Sequence, residues 1–94
     1  MASTPEVKVK KQIRKLLDEA GAYYAMPIGT GYGNSGVPDF LCCFRGVFWA
    51  VETKAPGKRG NTTVLQQRQI ADICSAGGRA VVIDDVKQLE ELMK

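Results

Sequence analysis

Histidine is absent from the 94 residues of this chain. Catalytic triads built on an imidazole base, and nearly all catalytic zinc sites, need histidine, so the sequence excludes both. It also lacks any run of about 18 apolar residues, the length that a membrane-spanning helix requires. We therefore expect no membrane partner, and a chemistry that rests on carboxylates, amines and amides.

Cysteine is scarce, with three copies at Cys42, Cys43 and Cys74. The number is odd, no pair has C-x-x-C spacing, and the neighbouring residues are apolar. These features favour reduced thiols and a cytoplasmic location. A chain of 94 residues is long enough for one small core, so we expect residues 1–94 to form a single domain.

Acidic residues are sparse in the parts of the chain where basic residues gather. The formal net charge is only +3, but five basic residues lie within the first fifteen positions, and residues 53–71 contain no acid. This asymmetry favours a basic face that contacts phosphate groups. The alternative is that the basic and acidic residues simply form two ordinary solvated faces, which would give the same charge distribution.

Apolar periodicity and turn residues divide the chain into seven elements. The first helix should begin at Ser3, whose hydroxyl would cap it with Glu6 three residues later. Arg45-Gly46 lies between two apolar runs, which predicts a β-hairpin that helices cover on both faces. The order predicts an α/β layer sandwich with a central mixed sheet: a helix over 5–20, strands over 22–28, 40–44 and 47–51, a helix over 63–76 with Ile70, Ile73 and Cys74 inward, a strand over 79–84, and a short last helix.

The stretch GYGNSGVPD, residues 31–39, matches the dinucleotide-binding pattern G-x-G-x-x-G in its first six residues. A working fingerprint lies between a strand and a helix, because the pyrophosphate binds at the helix N-terminus. Here an apolar strand follows the glycines, and no Gly-Lys-Ser/Thr of a P-loop is present. We expect no nucleotide cofactor. The loop either delivers Asp39 to the start of a strand, with glycines that permit close approach, or is a simple connector.

A two-residue turn at Arg45-Gly46 would fix the register of the hairpin. Continued to the strand ends, that register places Asp39 opposite Glu52, with Cβ atoms about 4.5–5.5 Å apart. Lys54 leaves on the same face, because side chains alternate along a strand. Facing carboxylates repel unless a cation lies between them, and Mg²⁺ is commonly bound by such a pair. A surface ion pair that involves Lys54 is the alternative.

These residues together resemble the core motif of the PD-(D/E)xK nucleases. The fuller pattern is similar to the VRR-NUC (virus-type replication-repair nuclease) family, which has a glutamate early in its first helix and a glutamine in the helix after the hairpin. The resemblance covers about residues 6–83 and implies a restriction-endonuclease-like fold. The matching positions are Glu6, Gly36-Val-Pro38-Asp39, Glu52-Thr53-Lys54 and Gln66.

The resemblance implies cleavage of DNA phosphodiester bonds with Mg²⁺ or Mn²⁺ as cofactor. Two points stay open. Gln67 adjoins Gln66, so either residue could be the glutamine of the family's pattern. Ser3-x-x-Glu6 and Thr63-x-x-Gln66 also match the capping-box pattern, so Glu6 and Gln66 could instead cap their helices. By the family's pattern, the catalytic set would be Asp39, Glu52, Lys54 and Gln66, and the metal ligands would be the carboxylates of Glu6, Asp39 and Glu52 with the carbonyl of Thr53.

Stand-alone members of this family resemble phage-encoded enzymes that act on four-way (Holliday) junctions as homodimers, which implies a bacterial or phage-infected host cell. A sequence-specific restriction-type nuclease and a non-catalytic nucleic-acid-binding module on a nuclease fold are the other functions that fit. Contacts to the DNA backbone position a protein on DNA without reading its sequence. We expect such contacts from Lys10, Lys11, Arg14, Lys58, Arg59 and Arg68.

Overall fold

A computed structural model describes residues 3–28 and 35–94, so most of the glycine-rich loop, residues 29–34, lies outside the described residues. The predicted order of elements is confirmed, and their ends differ from the prediction by at most three residues. In the described ranges, none of the helices is both long enough and apolar enough to cross a membrane. The elements are α1 (Pro5–Glu19), β1 (Tyr23–Ala25), β2 (Phe40–Phe44), β3 (Val47–Thr53), α2 (Val64–Ser75), β4 (Arg79–Ile83) and α3 (Val86–Leu92).

The four strands form one sheet in the order β1-β2-β3-β4. The first three are antiparallel neighbours, whereas β4 runs parallel to β3, because α2 returns the chain to the opposite end of the sheet before β4 begins. The predicted mixed sheet is therefore confirmed. As a result, the start of β2 and the ends of β3 and β4 lie at the same end of the sheet.

The β2–β3 hairpin turns through Arg45 and Gly46, whose φ angles are 51° and 77°. Positive φ at both central residues is the mark of a two-residue type I′ turn, whose twist matches that of the flanking strands. Phe44 pairs with Val47, and the pairing continues to Phe40 and Val51, so the predicted register is confirmed. One step beyond the last pair, Asp39 and Glu52 are opposed.

The hydrophobic core lies on one face of the sheet, under α1 and α3. The α1 residues Val9, Ile13 and Leu17, spaced four apart, form a single buried stripe, as expected for an amphipathic helix. Burial of each such side chain contributes about 1.5–3 kcal/mol. This face therefore anchors α1 to the sheet. The remaining core residues are Phe40, Cys42, Trp49, Val51, Ile83 and Leu89.

The opposite face of the sheet is only partly covered. α2 packs mainly on β4, and none of its residues is buried. Tyr23, Cys43 and Phe48 form an exposed row across β1, β2 and β3. The prediction that helices cover both faces of the hairpin is therefore wrong here. Cys74 is also exposed rather than inward, whereas Cys42 is buried as expected.

The N-terminal cap of α1 differs from the prediction by one residue. Thr4, not Ser3, is the cap, and its side chain accepts a hydrogen bond of 3.1 Å from the backbone N–H of Val7. Pro5 explains the shift, because proline favours the first helical position and so leaves the cap to the residue before it. The predicted Ser3-x-x-Glu6 capping box is wrong, and Glu6 is not used as a cap.

Candidate active site

Asp39 and Glu52 lie side by side at the end of the sheet where β2 begins and β3 ends. Glu52 is only 3% exposed. Burial raises the pKa of Glu52 from its ordinary 4.5 to about 8; the charge of Asp39 and a side-chain hydrogen bond with it act in the same direction, and Lys54 acts against them. Glu52 therefore favours its protonated form near neutral pH, as expected of a buried carboxyl group beside another acid.

The Asp39 carboxylate is held by the neighbouring strand. The backbone N–H of Thr53 donates a hydrogen bond of 2.9 Å to Asp39 Oδ2. Pro38 is buried directly before it, and its ring fixes the backbone φ at the entry to the strand. Asp39 is thus oriented by backbone on both sides, which leaves Oδ1 as the oxygen that faces other side chains.

Lys10 of α1 reaches this second oxygen. Its Nζ lies 3.6 Å from Asp39 Oδ1 and 3.7 Å from Glu6 Oε2. Among residues 3–28 and 35–94, no group of three or more acidic or cysteine side chains is arranged to hold a metal ion. The structure therefore brings Asp39 and Glu52 together, but it links Glu6 to Asp39 through the ammonium group of Lys10.

Lys54 is held by the first turn of α2. Its Nζ donates a hydrogen bond of 2.9 Å to Gln66 Oε1, and the same oxygen accepts 3.0 Å from the backbone N–H of Thr63. Thr63 and Gln66 thus form the predicted capping box, while Gln66 also contacts the candidate site. Gln67 instead donates to Thr62. Gln66 thus caps α2 and, unlike Gln67, lies beside the lysine, while its role in catalysis stays a prediction.

Gly36 lets the described end of the glycine-rich loop rest against α2. Its φ is 77°, and a Cβ there would lie 2.6 Å from the carbonyl carbon of Leu65 and 2.8 Å from the backbone nitrogen of Gln66. Only glycine fits such a backbone approach. Gln69 Nε2 adds a hydrogen bond of 3.2 Å to the carbonyl of Ser35. Sequence reasoning missed Gln69, because nothing in its pattern marks a partner 34 residues away.

The fold of this chain is similar to that of one known domain. No protein-family model matches the sequence, and no curated protein matches it either. A solved structure described as a VRR_NUC domain is similar over 96% of this chain and 95% of its own, with a TM-score of 0.73 and 29% identity. The chain therefore has the fold of a VRR_NUC domain over nearly its whole length. The predicted resemblance to this family and the predicted fold are thereby confirmed.

The basic residues that the sequence predicts to contact DNA fall into two groups. Lys58 and Arg59 lie in the exposed loop after β3, and Asp84 holds that loop at the site's end of the sheet by accepting 3.1 Å from the N–H of Gly57. The others, apart from Lys10, are exposed on helices: Lys11, which donates to Ser3, and Arg14 lie on α1, and Arg68 lies on α2. Arg68 follows Gln66 by two residues and so points away from it.

The donors of this site fit a hard divalent cation. They are carboxylate oxygens, the ligands that Mg²⁺ and Mn²⁺ prefer. Burial and then the charge of Asp39 raise the pKa of Glu52, and a cation between the two carboxylates would offset both by favouring the ionised form. Thr53 is less simply explained. Its hydroxyl is buried and has no hydrogen-bond partner within the described part of the chain.

Proposed function

We propose that this protein is a Mg²⁺- or Mn²⁺-dependent DNA endonuclease that nicks four-way junctions or other branched DNA as a homodimer. The observation that carries the proposal is the buried Asp39–Glu52 pair with Lys54 beside it. The similarity to a VRR_NUC domain supports the nuclease part of this proposal. The cofactor, the DNA structure and the dimer go beyond it.

Asp39 and Glu52 would hold the cation, with the carbonyl of Thr53 as a further ligand and Glu6 available once Lys10 moves. When bound, the cation supplies a water of lowered pKa and stabilises negative charge on the phosphate. Glu52 has to lose its proton to bind. The N–H of Thr53 keeps Asp39 oriented throughout.

Lys54 is the group positioned to act on the reacting atoms. Gln66 accepts one of its hydrogen bonds, which leaves two of its N–H groups for a phosphate oxygen and the attacking water. The water oxygen forms a bond to phosphorus as one ester P–O bond breaks, and the products are a phosphate monoester and a hydroxyl end. An ammonium aimed at the developing charge is the kind of group that stabilises such a transition state.

Two features support branched DNA and a dimer. The described part of the chain carries one such site, so if a four-way junction is the substrate, symmetric nicking requires two chains related by a two-fold axis. The exposed lysines and arginines suit phosphate contacts, which recognise DNA shape and position without reading sequence. Lys58 and Arg59 lie in the loop that the contact between Gly57 and Asp84 holds at this end of the sheet.

The test is a cleavage assay on a mobile four-way junction, a linear duplex of the same sequence and a single strand, each with Mg²⁺, Mn²⁺ or a chelator. We expect junction cleavage that needs metal and disappears in Lys54→Ala, while DNA binding by that variant persists. Lys87→Ala, an exposed lysine on α3, is the matched control and should cut normally. Sedimentation of the protein with and without the junction measures whether it is a dimer.

Other outcomes would point to different functions. Cutting of the linear duplex at one defined sequence would indicate a restriction-type nuclease. Binding without cleavage of any substrate in either metal would indicate a non-catalytic nucleic-acid-binding module.

A further inference from the structure

Lys10 occupies an unusual place among the basic residues of α1. Its side chain is 29% exposed and contacts carboxylates on two different elements, Glu6 on its own helix and Asp39 before β2. In the described residues, the ammonium group of Lys11 contacts Ser3, and that of Lys15 contacts Glu19, at 78% exposure. Lys10 therefore joins α1 to the candidate site, whereas its neighbours make contacts only near the N-terminal end of the chain or along the helix.

The contact falls on one particular oxygen of Asp39. Oδ2 is engaged by the N–H of Thr53 at 2.9 Å, and Oδ1 is the atom 3.6 Å from Lys10 Nζ. A cation held jointly by Asp39 and Glu52 would have to share the surroundings of Oδ1 with an ammonium group of like charge. Binding of the cation and the contact of Lys10 with Asp39 are therefore opposed.

We propose that Lys10 is the counter-ion of the metal-free site, which competes with the divalent cation for Asp39 and thereby sets the metal affinity. The inference rests on the proposed metal dependence. Lys10 is a positioning residue in this sense: it holds Asp39 and Glu6 in place before the cation arrives and gives way when it binds. Once displaced, its ammonium group lies at the rim of the site, where it can form an ion pair with a DNA phosphate.

A consequence is that DNA and metal help each other to bind. A phosphate that draws Lys10 away from Asp39 removes a competitor of the cation, and by reciprocity the bound cation frees Lys10 for the phosphate. This coupling is a property of the lysine at position 10 and disappears when its charge is removed.

The experiment is a titration of the metal-free protein with Mn²⁺, followed by calorimetry, together with thermal unfolding in chelator and in saturating Mn²⁺. Lys10→Met keeps the length and helix propensity of the side chain and removes its charge. Lys10→Arg keeps the charge, and Lys15→Met is the matched control on the same helix. We expect Lys10→Met to bind Mn²⁺ about 5-fold or more tightly, to melt at a lower temperature than wild type in chelator, and to recover in Mn²⁺.

Lys10→Arg and Lys15→Met should both bind Mn²⁺ as wild type does, the first because it retains the competing charge. If wild type binds Mn²⁺ and Lys10→Met binds it equally or more weakly, the inference is wrong while the proposed metal dependence stands. If none of the four proteins binds Mn²⁺, both fail together. Binding by Lys10→Met in the absence of detectable binding by wild type would support the inference in its strongest form.

Discussion

Replacement of Glu52 by glutamine should stabilise the metal-free protein, by an amount that increases with pH. Glu52 is 3% exposed and lies against Asp39, so its ionised form is unfavourable in the folded state. Glutamine has nearly the same shape, is neutral at every pH, and can donate an amide N–H to Asp39 as the protonated glutamate does. The charges that face this position are Asp39 on the neighbouring strand, with Lys10 behind it, and Lys54 on its own strand.

The magnitude follows from the pKa of Glu52. Because the folded state raises this pKa from 4.5 to about 8, the folded protein holds the proton more tightly than the unfolded chain does. Its free energy of unfolding therefore falls as the pH rises from 4.5 through about 8. At 1.36 kcal/mol per pH unit, the loss is about 3 kcal/mol at pH 7 and about 5 kcal/mol above pH 8, and Glu52→Gln should not show it.

The assay is urea unfolding in chelator at several pH values between about 5 and 9. Wild type should lose stability relative to Glu52→Gln across this range, and saturating Mg²⁺ should restore wild type alone. Glu90→Gln, an exposed glutamate on α3, controls for the change of residue type. Parallel curves for wild type and Glu52→Gln, separated by a constant within about 1 kcal/mol of zero, would refute the account of the Asp39–Glu52 pair.

Three further substitutions probe the surroundings of the pair. Gly36→Ala should destabilise the protein by about 1–3 kcal/mol in urea unfolding and reduce cleavage, because its Cβ would meet backbone atoms of α2; an unchanged midpoint would contradict the close approach. Gln66→Ala should cost about 1 kcal/mol as a lost cap partner and slow cleavage by releasing Lys54, whereas Gln67→Ala should cut at the normal rate; equal rates for the two would remove Gln66 from the site. Thr53→Val should be neutral or stabilising by about 1 kcal/mol in urea, since its hydroxyl has no partner in the described ranges; a loss of stability would show that the hydroxyl has one.

The hairpin was predictable from sequence because its register depends only on the number of residues in the turn and on the alternation of side chains along each strand. A two-residue turn and a side-chain period of two leave one register, and that register opposes Asp39 and Glu52. The order of helices and strands was also predictable, because apolar runs and glycine or proline boundaries identify each element locally. The two-residue turn was readable from Arg45-Gly46 even though asparagine or aspartate is commoner before the glycine.

The contacts that depend on tertiary packing were not predictable in this way. Lys10 was expected on a DNA-binding surface, but its reach to Asp39 depends on how α1 crosses the sheet. The incomplete burial of α2 was missed because periodicity identifies the apolar side of a helix and not how far the sheet extends beneath it. Gln66 had two competing interpretations, and the sequence could not show that one carbonyl oxygen serves both.

The incomplete burial of α2 affects how the protein responds to heat. Lys54 is held by its first turn through Gln66, and Gly36 rests on the same turn, yet no residue of this helix is buried. Segments with little buried surface open first, at a free-energy cost below that of global unfolding. Amide hydrogens of α2 should exchange faster than those of α1, and activity should be lost on warming before the core of the sheet melts.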